Sequence, residues 1–372
     1  MNLNPLMIFV TVLKLLLYPF SILYGAIMWL RNKLYDSGVY SSVSFSVPVI
    51  SVGNLSTGGT GKTPHIEYLI RLLQYEYRVA TQSRGYKRRS RGFKMAGDQT
   101  TAFEIGDEPM QFHLKFPEVA VSVCEERMTG IPALLAERPD TDIVLLDDAY
   151  QHRSVKAGLN ILITDYAKPF YTDHVLPFGN LREHRNAYKR AHAIIVSKCP
   201  EDLTETDRKE MIAKIRPLDH QRVFFTKIQY GGCFDFFSGM PVPLQPNQHM
   251  ILVSGIAKPE PMLAYLREQV AEVHLLRYPD HHYFTQNNLE EIRQTCANWK
   301  EQHPVMVTTE KDATRLALHA ETLKSWGVTI LVLPIEIAFI QDKPVFDRMV
   351  QDYIDSERLN SEPQQENFQE IF

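Results

Sequence analysis

The stretch that decides the fold is Val49-Ile50-Ser51-Val52-Gly53-Asn54-Leu55-Ser56-Thr57-Gly58-Gly59-Thr60-Gly61-Lys62-Thr63-Pro64. An apolar, β-rich run leads into a glycine-rich loop, and an amphipathic helical pattern follows. Glycines let the backbone curl so that successive N–H groups point at phosphate oxygens. A helix that opens at the end of such a loop adds its positive dipole. The order strand, loop, helix therefore predicts a phosphate-binding loop.

The side chains of this loop predict how a nucleotide is bound. Lys62 is expected to reach the β- and γ-phosphates, and the Thr63 hydroxyl to bind Mg²⁺. One departure from the usual pattern is Ser56, which stands where the first glycine is normally found. The residues expected to bind ATP are Ser56, Thr57, Gly58, Gly59, Thr60, Gly61, Lys62 and Thr63.

Two absences narrow the class of nucleotide-binding protein. ATPases with a deviant loop carry a second lysine just before the glycine pair, and that position here is Thr57. The guanine-reading pattern Asn-Lys-x-Asp is also missing, because 197–200 reads Ser-Lys-Cys-Pro. Adenine nucleotide is therefore favoured over guanine.

Composition sets broad limits. The chain has 372 residues, 44% of them hydrophobic and 23% charged, which suits two globular domains. A net charge of -4 gives no general attraction to nucleic acid, so no nucleic-acid partner is expected. The cysteines show no paired spacing, which argues against a zinc site or disulfides and fits a reducing compartment. They are Cys124, Cys199, Cys233 and Cys296.

The N-terminal segment is unusually apolar. From Leu6 to Leu30 it carries one charge, Lys14, and one proline, Pro19. Its length of about 25 residues exceeds the roughly 20 needed to span a bilayer core. The charge and the proline leave open a helix lying in the membrane interface, and a buried core helix is the remaining alternative. If the segment spans the membrane, the basic residues that follow it place its C-terminal side in the cytoplasm.

Apolar strand candidates alternate with helical stretches on both sides of a connector at 221–248. This pattern predicts an α/β fold: a P-loop NTPase-like α/β/α domain with a mainly parallel sheet, a β-hairpin linker and a smaller α/β domain. The predicted ranges are an N-terminal membrane-associated helix at 1–33, a kinase-like domain at 34–225, a linker at 226–248, a smaller α/β domain at 249–340, and a C-terminal helix with a polar, frayed tail at 341–372.

Carboxylates mark two further candidate positions. Asp147 and Asp148 end a hydrophobic strand, where such groups commonly hold Mg²⁺ beside a phosphate loop. We assign the metal to Asp147 and keep Asp148 as a close second. Gly106-Asp107-Glu108-Pro109 is read as an acidic turn, which is either simply exposed or supplies the carboxylate that a kinase needs at an acceptor hydroxyl.

Three other polar segments stay ambiguous on residues alone. The 278–284 segment contains His281 and His282 among aromatics, which suits proton transfer or an interface turn. The basic loop 83–91 is either solvated or binds lipid phosphate. Thr309-Glu310-Lys311-Asp312 either contacts nucleotide or caps a helix.

Taken together, these segments resemble the tetraacyldisaccharide 4′-kinase family, over most of the chain up to Asp312. The motifs that carry the resemblance are 52–64, Ser83-Arg84-Gly85-Tyr86, 106–109, Asp147-Asp148-Ala149-Tyr150-Gln151-His152-Arg153, Leu181-Arg182-Glu183, Asp280-His281-His282 and 309–312. The family tolerates a small hydroxyl residue at the position of Ser56.

The resemblance implies a reaction and a place for it. ATP and Mg²⁺ would phosphorylate the 4′-hydroxyl of a tetraacylated glucosamine disaccharide 1-phosphate in lipid A biosynthesis, at the cytoplasmic face of the inner membrane. It also implies catalytic roles for Asp107, His281, Lys62 and Asp148, with His282 an alternative to His281. A base and a histidine on different domains would complete the site only when a cleft closes. The roles of Arg182 and Glu183 stay unassigned.

Two other functions remain as alternatives. One is a membrane-bound P-loop ATPase or switch that has no lipid acceptor, and the other is a non-catalytic membrane adaptor. Asp107 and the His281 segment favour the kinase over the adaptor. Only an activity measurement with a lipid acceptor separates the kinase from the ATPase.

Overall fold

The structure, a computed structural model, describes residues 5–299 and 303–361. Its strands are, in chain order, β1 (Val49–Asn54), β2 (Val79–Ser83), β3 (Lys94–Met95), β4 (Ala120–Val123), β5 (Ile143–Asp147), β6 (Leu159–Asp165), β7 (Ala193–Ser197), β8 (Arg222–Tyr230), β9 (Phe234–Asp235), β10 (His249–Ser254), β11 (Glu272–Arg277), β12 (Val305–Thr309), β13 (Ile330–Leu333) and β14 (Ile335–Phe339).

Helices alternate with these strands. They are α1 (Pro5–Asp36), α2 (Lys62–Leu73), α3 (Ala102–Ile105), α4 (Asp107–Lys115), α5 (Arg127–Glu137), α6 (Glu205–Ile215), α7 (Glu260–Gln269), α8 (Gln286–Asn298), α9 (Glu310–Leu316), α10 (Ala320–Lys324) and α11 (Lys343–Ser361).

Contacts within the chain divide it into two compact units. The first contains the described residues up to Arg84, Glu126–Ile228 and those from Ile337 onward. The second contains Gly85–Glu125 and Gln229–Glu336. The predicted kinase-like domain at 34–225 is continuous, whereas in the structure residues 85–125 group with Gln229–Glu336. Within the second unit, α4 is joined to α9 by the ion pairs Lys115–Glu310 at 2.5 Å and Lys311–Glu108 at 2.7 Å.

The sheet of the first unit is built around the strand that precedes the phosphate loop. In this unit the strand order is β14-β8-β7-β6-β1-β5-β2, and the pairs from β8 to β2 are parallel. Every residue of β1 is buried, as a strand covered on both faces requires. In the register, Val52 pairs with Asp147, so the carboxyl end of β5 lies beside the end of β1. The predicted P-loop α/β fold with a mainly parallel sheet is confirmed.

The second unit contains a smaller α/β arrangement. Its strands run in the order β11-β10-β12-β13-β9, parallel except for β9, which is antiparallel to β13. Apolar side chains of β10 and β12 are buried on both faces, between α7 on one side and α8 with α9 on the other. Within residues 85–125, β3 pairs with β4 in antiparallel fashion.

The segment predicted as a connector, 221–248, divides into two parts. Its first part forms β8, which extends the parallel sheet beside β7. Its second part does form a hairpin-like turn, in which Phe234 bridges Pro241 and Asp235 N–H donates to the Met240 carbonyl at 2.8 Å. The aromatic and proline-rich composition of the second part hid the strand that precedes it.

Two other local predictions are corrected. The acidic turn at 106–109 is the beginning of α4, with Gly106 as the residue before its first turn. The helix α11 continues to Ser361, past Tyr353 where a frayed tail was expected. Paired i,i+4 contacts such as Lys343–Asp347 at 2.7 Å support this polar helix. The rest of the predicted tail, 362–372, lies outside the described residues.

The N-terminal segment forms α1, which includes Pro19. Over residues 5–299 and 303–361, the structure contains no helix long and apolar enough to cross a membrane. One face of α1 contacts the rest of the first unit: Ser21 Oγ donates to the Val175 carbonyl at 2.6 Å, and Tyr24 Oη donates to the Arg182 carbonyl at 2.6 Å. The part of the predicted segment before Leu16 lies where side chains are not described.

Candidate active site

The phosphate loop connects β1 to α2, and hydrogen bonds from neighbouring side chains hold its shape. Gly58 and Gly61 have φ of +106° and +87°, which side chains rarely adopt, so glycine is required at both positions. Asn54, at the end of β1, donates from Nδ2 to Thr60 Oγ1 at 2.9 Å. From β7, Ser197 Oγ donates to the Thr60 carbonyl at 2.7 Å. The loop is therefore held in its curled form by side chains of two strands.

The helix that follows the loop is held by a buried histidine. His65 Nδ1 lies 2.7 Å from the Gly61 carbonyl, and its Nε2 lies 3.1 Å from Thr226 Oγ1. A carbonyl can only accept, so Nδ1 carries the proton and Nε2 accepts from the threonine hydroxyl. Burial lowers the pKa of His65 to about 4, only partly offset by its bond to Gly61, which keeps the ring neutral.

Lys62, the loop lysine, faces a carboxylate. Its Nζ lies 3.5 Å from Asp148 Oδ1, and Arg182 NH1 donates to the same oxygen at 2.8 Å. Burial would raise the pKa of Asp148, but the charges of Lys62 and Arg182 outweigh it and lower that pKa, so the carboxyl is ionised. Asp148 also has a left-handed backbone, with φ of +51°. Such strain in a residue other than glycine is common at functional sites.

Asp147 is the preceding residue, at the end of β5. Its side chain is buried, and its carbonyl accepts from Arg127 NH2 at 3.1 Å. Thr63 is also buried, in the first turn of α2. A hydroxyl and a carboxylate at one edge of the sheet form an all-oxygen donor set, which is the chemistry that Mg²⁺ prefers.

The structure gives contacts to the two residues left unassigned by sequence. Arg182 binds Asp148, as described. Glu183 is fully buried and accepts from Asn32 Nδ2 at 2.8 Å, Gln151 Nε2 at 3.1 Å and Arg190 NH2 at 2.8 Å. Three donors offset the cost of burying its charge. Glu183 thus joins α1 to the segment that carries Asp148.

The second unit brings Asp107 and His281 together. His281 Nδ1 lies 2.8 Å from Asp107 Oδ2, although 174 residues separate them in sequence. Because both residues belong to one unit, no cleft closure is needed to form the pair, and the expectation that they sit on different domains is corrected. The alternative, His282, lies elsewhere: its Nε2 is 2.8 Å from Asn288 Oδ1 and its ring stacks on Tyr278.

Backbone geometry places this pair. Gly106, before Asp107, has φ of +93°, and a Cβ there would meet the Tyr86 carbonyl at 3.0 Å. His281 has φ of +58°, and its N–H donates to the Gly255 carbonyl at 3.0 Å. Both residues of the pair are therefore positioned by a positive φ, at Gly106 and at His281, which few residues adopt.

The segment 309–312 caps a helix, which is one of the two alternatives left open. Thr309 Oγ1 accepts from Asp312 N–H at 3.0 Å at the beginning of α9. Lys311 binds Glu108, and its charge, acting with that of His281, outweighs burial and lowers the pKa of Glu108 to about 2. The contact of this segment with nucleotide stays a prediction.

The sequence analysis missed several residues that contact the phosphate loop or the Asp107–His281 pair. Arg315, described below, carries no motif of its own, and its only signal is its place one turn after Asp312. Asn54 lies inside the quoted stretch, where an amide directly after a buried strand was a usable signal. Lys198 Nζ contacts the Gly59 carbonyl and lies 3.0 Å from Asp165 Oδ2. Lys198 belongs to a segment considered only for guanine recognition.

Known proteins resemble this chain over most of its length. The sequence model of the family described as tetraacyldisaccharide-1-P 4′-kinase matches residues 13–355. The tetraacyldisaccharide 4′-kinase of Bacteroides thetaiotaomicron is 43% identical, covering 93% of this chain and 94% of that protein. The corresponding protein of Flavobacterium johnsoniae is 45% identical, with 94% and 99% covered.

A solved structure agrees with the sequence comparisons. The crystal structure of LpxK from Aquifex aeolicus in complex with ATP is 28% identical and has a TM-score of 0.71. The similarity covers 92% of this chain and 99% of that one. Family match, relatives and fold agree, and the chain belongs to the tetraacyldisaccharide-1-phosphate 4′-kinase family of lipid kinases.

Proposed function

We propose that this protein transfers the γ-phosphoryl group of ATP to the 4′-hydroxyl of a tetraacylated glucosamine disaccharide 1-phosphate, a step of lipid A biosynthesis. The family match and the names of the relatives support the substrate and the reaction. The ATP complex of the related structure supports the donor. The residues below supply the chemistry.

The first unit carries the donor side. Residues 56–63 bind the phosphates, with Gly58 and Gly61 providing the turns that aim backbone N–H groups inward. Lys62 contacts the β- and γ-phosphates and offsets the charge that develops on them. Asp148 holds Lys62 and Arg182 near that position before nucleotide arrives.

Thr63 and Asp147 would hold Mg²⁺. Their oxygen donors fit a hard cation, and both lie at the carboxyl edge of the sheet, since Asp147 pairs in register with Val52. When bound, the ion would neutralise charge on the phosphates during transfer. The role of the protein is to place a hydroxyl and a carboxylate there.

The second unit carries the acceptor side. Asp107 is the base that takes the proton of the 4′-hydroxyl, and His281 orients it through the 2.8 Å contact at Oδ2. A carboxylate is a suitable base here, because most of the acceleration of phosphoryl transfer comes from positioning and charge. The pair already in contact is the single observation that carries this assignment.

The exposed face of α1 is the membrane-binding surface in this proposal. Five apolar residues recur at intervals of four and three along it and stay more than half exposed: Leu16, Phe20, Leu23, Ile27 and Leu30. Tyr24 and Asn32, which lie outside this stripe, bind other residues of the first unit. An apolar stripe on the solvent side suits a helix lying in the cytoplasmic face of the inner membrane, where the acyl chains of the acceptor are located.

A turnover assay tests the function. Purified protein receives ATP, Mg²⁺ and the tetraacylated disaccharide 1-phosphate in mixed micelles, and ADP release is compared with and without the lipid. We expect release to require the lipid. Equal release in both reactions, without phosphorylated lipid, would instead support the P-loop ATPase.

A further inference from the structure

One oxygen of Asp107 receives two donors. Arg315 NH1 lies 2.5 Å from Asp107 Oδ2, the same atom that His281 Nδ1 contacts at 2.8 Å. The other oxygen, Oδ1, is buried and has no hydrogen-bond partner among the described residues. The residue as a whole is only 3% exposed. The carboxylate is therefore fixed at one oxygen, while the other oxygen is buried and keeps an unused capacity to accept a hydrogen bond.

Arg315 cannot easily move away from this position. It is 1% exposed, and its second terminal nitrogen, NH2, binds Asp312 Oδ1 and the Gly255 carbonyl, the latter at 3.1 Å. Asp312 is itself held, because its Oδ2 accepts from Gly255 N–H at 3.0 Å and from Thr309 Oγ1 at 2.7 Å. The guanidinium thus reaches Asp107 from a rigid, fully buried support.

The same carbonyl anchors both partners of Asp107. Gly255 O accepts from Arg315 NH2 and from the backbone N–H of His281. A Cβ at Gly255 would lie 3.0 Å from Asp312 Oδ1 and 3.2 Å from the Pro279 carbonyl, so this close approach suits glycine. Arg315 and His281 are consequently set at a fixed distance from each other and from the carboxylate between them.

We propose that Arg315 is a positioning residue for the proposed kinase reaction: it holds Asp107 through Oδ2 and so leaves the unpaired Oδ1 to accept from the acceptor hydroxyl. The inference rests on the proposed function, in which Asp107 is the base. Oδ1 accepts the proton of the hydroxyl as the oxygen–phosphorus bond forms and the bond to ADP breaks. Arginine suits this task because its charge is permanent and its planar fork can bind two carboxylates at once.

The alternative is a structural role, in which Arg315 only neutralises buried carboxylates. Removing one member of a buried ionic group is generally destabilising, so lost activity alone does not separate the two roles. A double-mutant cycle separates them. If Arg315 acts only through Asp107, the double variant loses no more activity than Asp107→Asn alone, whereas independent roles give losses that multiply.

The test measures kcat and KM for ATP in Arg315→Met, Asp107→Asn and the double variant. We expect about 100-fold lower kcat in Arg315→Met, KM for ATP within twofold of wild type, and no further loss when Arg315→Met is added to Asp107→Asn. Arg315→Lys, which keeps the charge, is expected to recover kcat to within about tenfold of wild type. Independent, multiplying losses would overturn the proposal.

Lys115→Met is the matched control. It breaks a second ion pair between α4 and α9, the less deeply buried pair of Lys115 with Glu310, and leaves Asp107 unchanged. We expect its kcat to stay within threefold of wild type. A loss equal to that of Arg315→Met would show a structural effect. If Arg315→Met does not fold, Arg315→Gln, neutral but able to donate from its amide, replaces it in the cycle.

The outcomes also distinguish a failure of this inference from a failure of the proposed function. If Asp107→Asn is as active as wild type, the assignment of the base fails whatever Arg315 does. If Asp107→Asn is inactive and Arg315→Met retains wild-type kcat, the function stands and the role of Arg315 is wrong.

Discussion

Lys62 Nζ lies 3.5 Å from Asp148 Oδ1, so the lysine of the phosphate loop already has a counter-ion within the protein. Arg182 shares that carboxylate at 2.8 Å. In the proposed reaction, an incoming phosphate would compete with Asp148 for Lys62 and Arg182. The pair is partly exposed, so its attraction is screened and modest in energy. In the proposed reaction, Asp148 would therefore oppose the binding of free nucleotide slightly while it holds Lys62 and Arg182 in place for transfer.

Replacing Asp148 tests this competition. Asp148→Asn removes the charge, and asparagine tolerates the left-handed backbone found there. We expect ATP to bind about 2- to 5-fold more tightly in EDTA, since one repulsive charge is gone. Turnover with Mg²⁺ should fall by about 100-fold, the scale for losing one electrostatic contributor to transfer. Calorimetric titration and a turnover assay measure the two effects.

The matched control for Asp148 is Asp142→Asn. Asp142 lies just before β5, at the end of that strand opposite Asp147, and binds the exposed Arg78 at 3.3 Å. It should leave both measurements unchanged. Unaltered EDTA affinity in Asp148→Asn would contradict the competition.

Acid should weaken the phosphate-loop helix through His65. Burial lowers the pKa of this residue from its ordinary value of 6.5 to about 4 in the folded protein, so the unfolded chain binds more protons between these two pH values. The contribution of neutral His65 to the free energy of unfolding is therefore complete above about pH 6.5, and it is lost as the pH falls towards 4. Between pH 7 and pH 5 the loss from His65 is about 2 kcal/mol.

Native-state hydrogen exchange of the α2 amides checks this expectation at both pH values. His65→Gln should reduce the pH dependence, while His152, whose pKa is also lowered to about 4, mainly by burial, keeps part of it. The exposed His274→Gln serves as the control. If wild type and His65→Gln lose equal protection on acidification, the buried neutral histidine is not the cause.

Gly106 should be irreplaceable in the second unit. Gly106→Ala places a Cβ 3.0 Å from the Tyr86 carbonyl at φ of +93°, so we expect destabilisation of about 1–3 kcal/mol and reduced turnover through Asp107. Gly97→Ala is the matched control, because that glycine has open space around it and no positive φ. Urea unfolding measures both. Equal stability of the two variants would show that Gly106 is not strained.

The apolar stripe of α1 should govern membrane binding. Replacing Phe20, Leu23 and Ile27 with serine removes three exposed side chains and spares the face that contacts the first unit. Each such side chain contributes about 1.5–3 kcal/mol when buried, so binding should weaken at least 100-fold. Flotation with phosphatidylethanolamine–phosphatidylglycerol vesicles measures this.

Tyr75→Ser is the control for the stripe, because Tyr75 is an 88% exposed aromatic residue of the same unit that lies just after the end of α2, away from the stripe in sequence. Vesicle binding unchanged by the triple substitution would remove α1 as the membrane surface. A lipid-free dimer that the substitution converts to monomer would assign the stripe to a second copy of the chain.

Local patterns predicted much of this molecule. Glycine spacing predicted the phosphate loop and β1, and the polar end of a hydrophobic strand predicted the position of Asp147. Each of these signals lies within a few neighbouring residues of the sequence. The parallel sheet follows from alternating strands and helices. β8 escaped because aromatic and proline-rich sequence directly follows it, and α4 because its first turn also reads as an acidic loop.

Long-range pairing could not be predicted in the same way. The contact of Asp107 with His281 joins residues 174 apart, and that with Arg315 joins residues 208 apart. Resemblance to a family pointed to the first pair, but no motif pointed to Arg315. The grouping of residues 85–125 with Gln229–Glu336 likewise brings together residues that are distant in sequence, such as the ion pairs Lys115–Glu310 and Lys311–Glu108. Such pairs depend on how distant helices pack, which residue spacing does not encode.

Transfer of labelled phosphate tests the central claim most directly. Wild type and Asp107→Asn receive γ-³²P-ATP, Mg²⁺ and the tetraacylated disaccharide 1-phosphate, and the product is analysed for a new phosphate at the 4′-position. We predict labelled 4′-phosphate with wild type and at least about 100-fold less with Asp107→Asn, while both bind ATP equally. Label released only as inorganic phosphate, or equal transfer by the variant, would contradict the account.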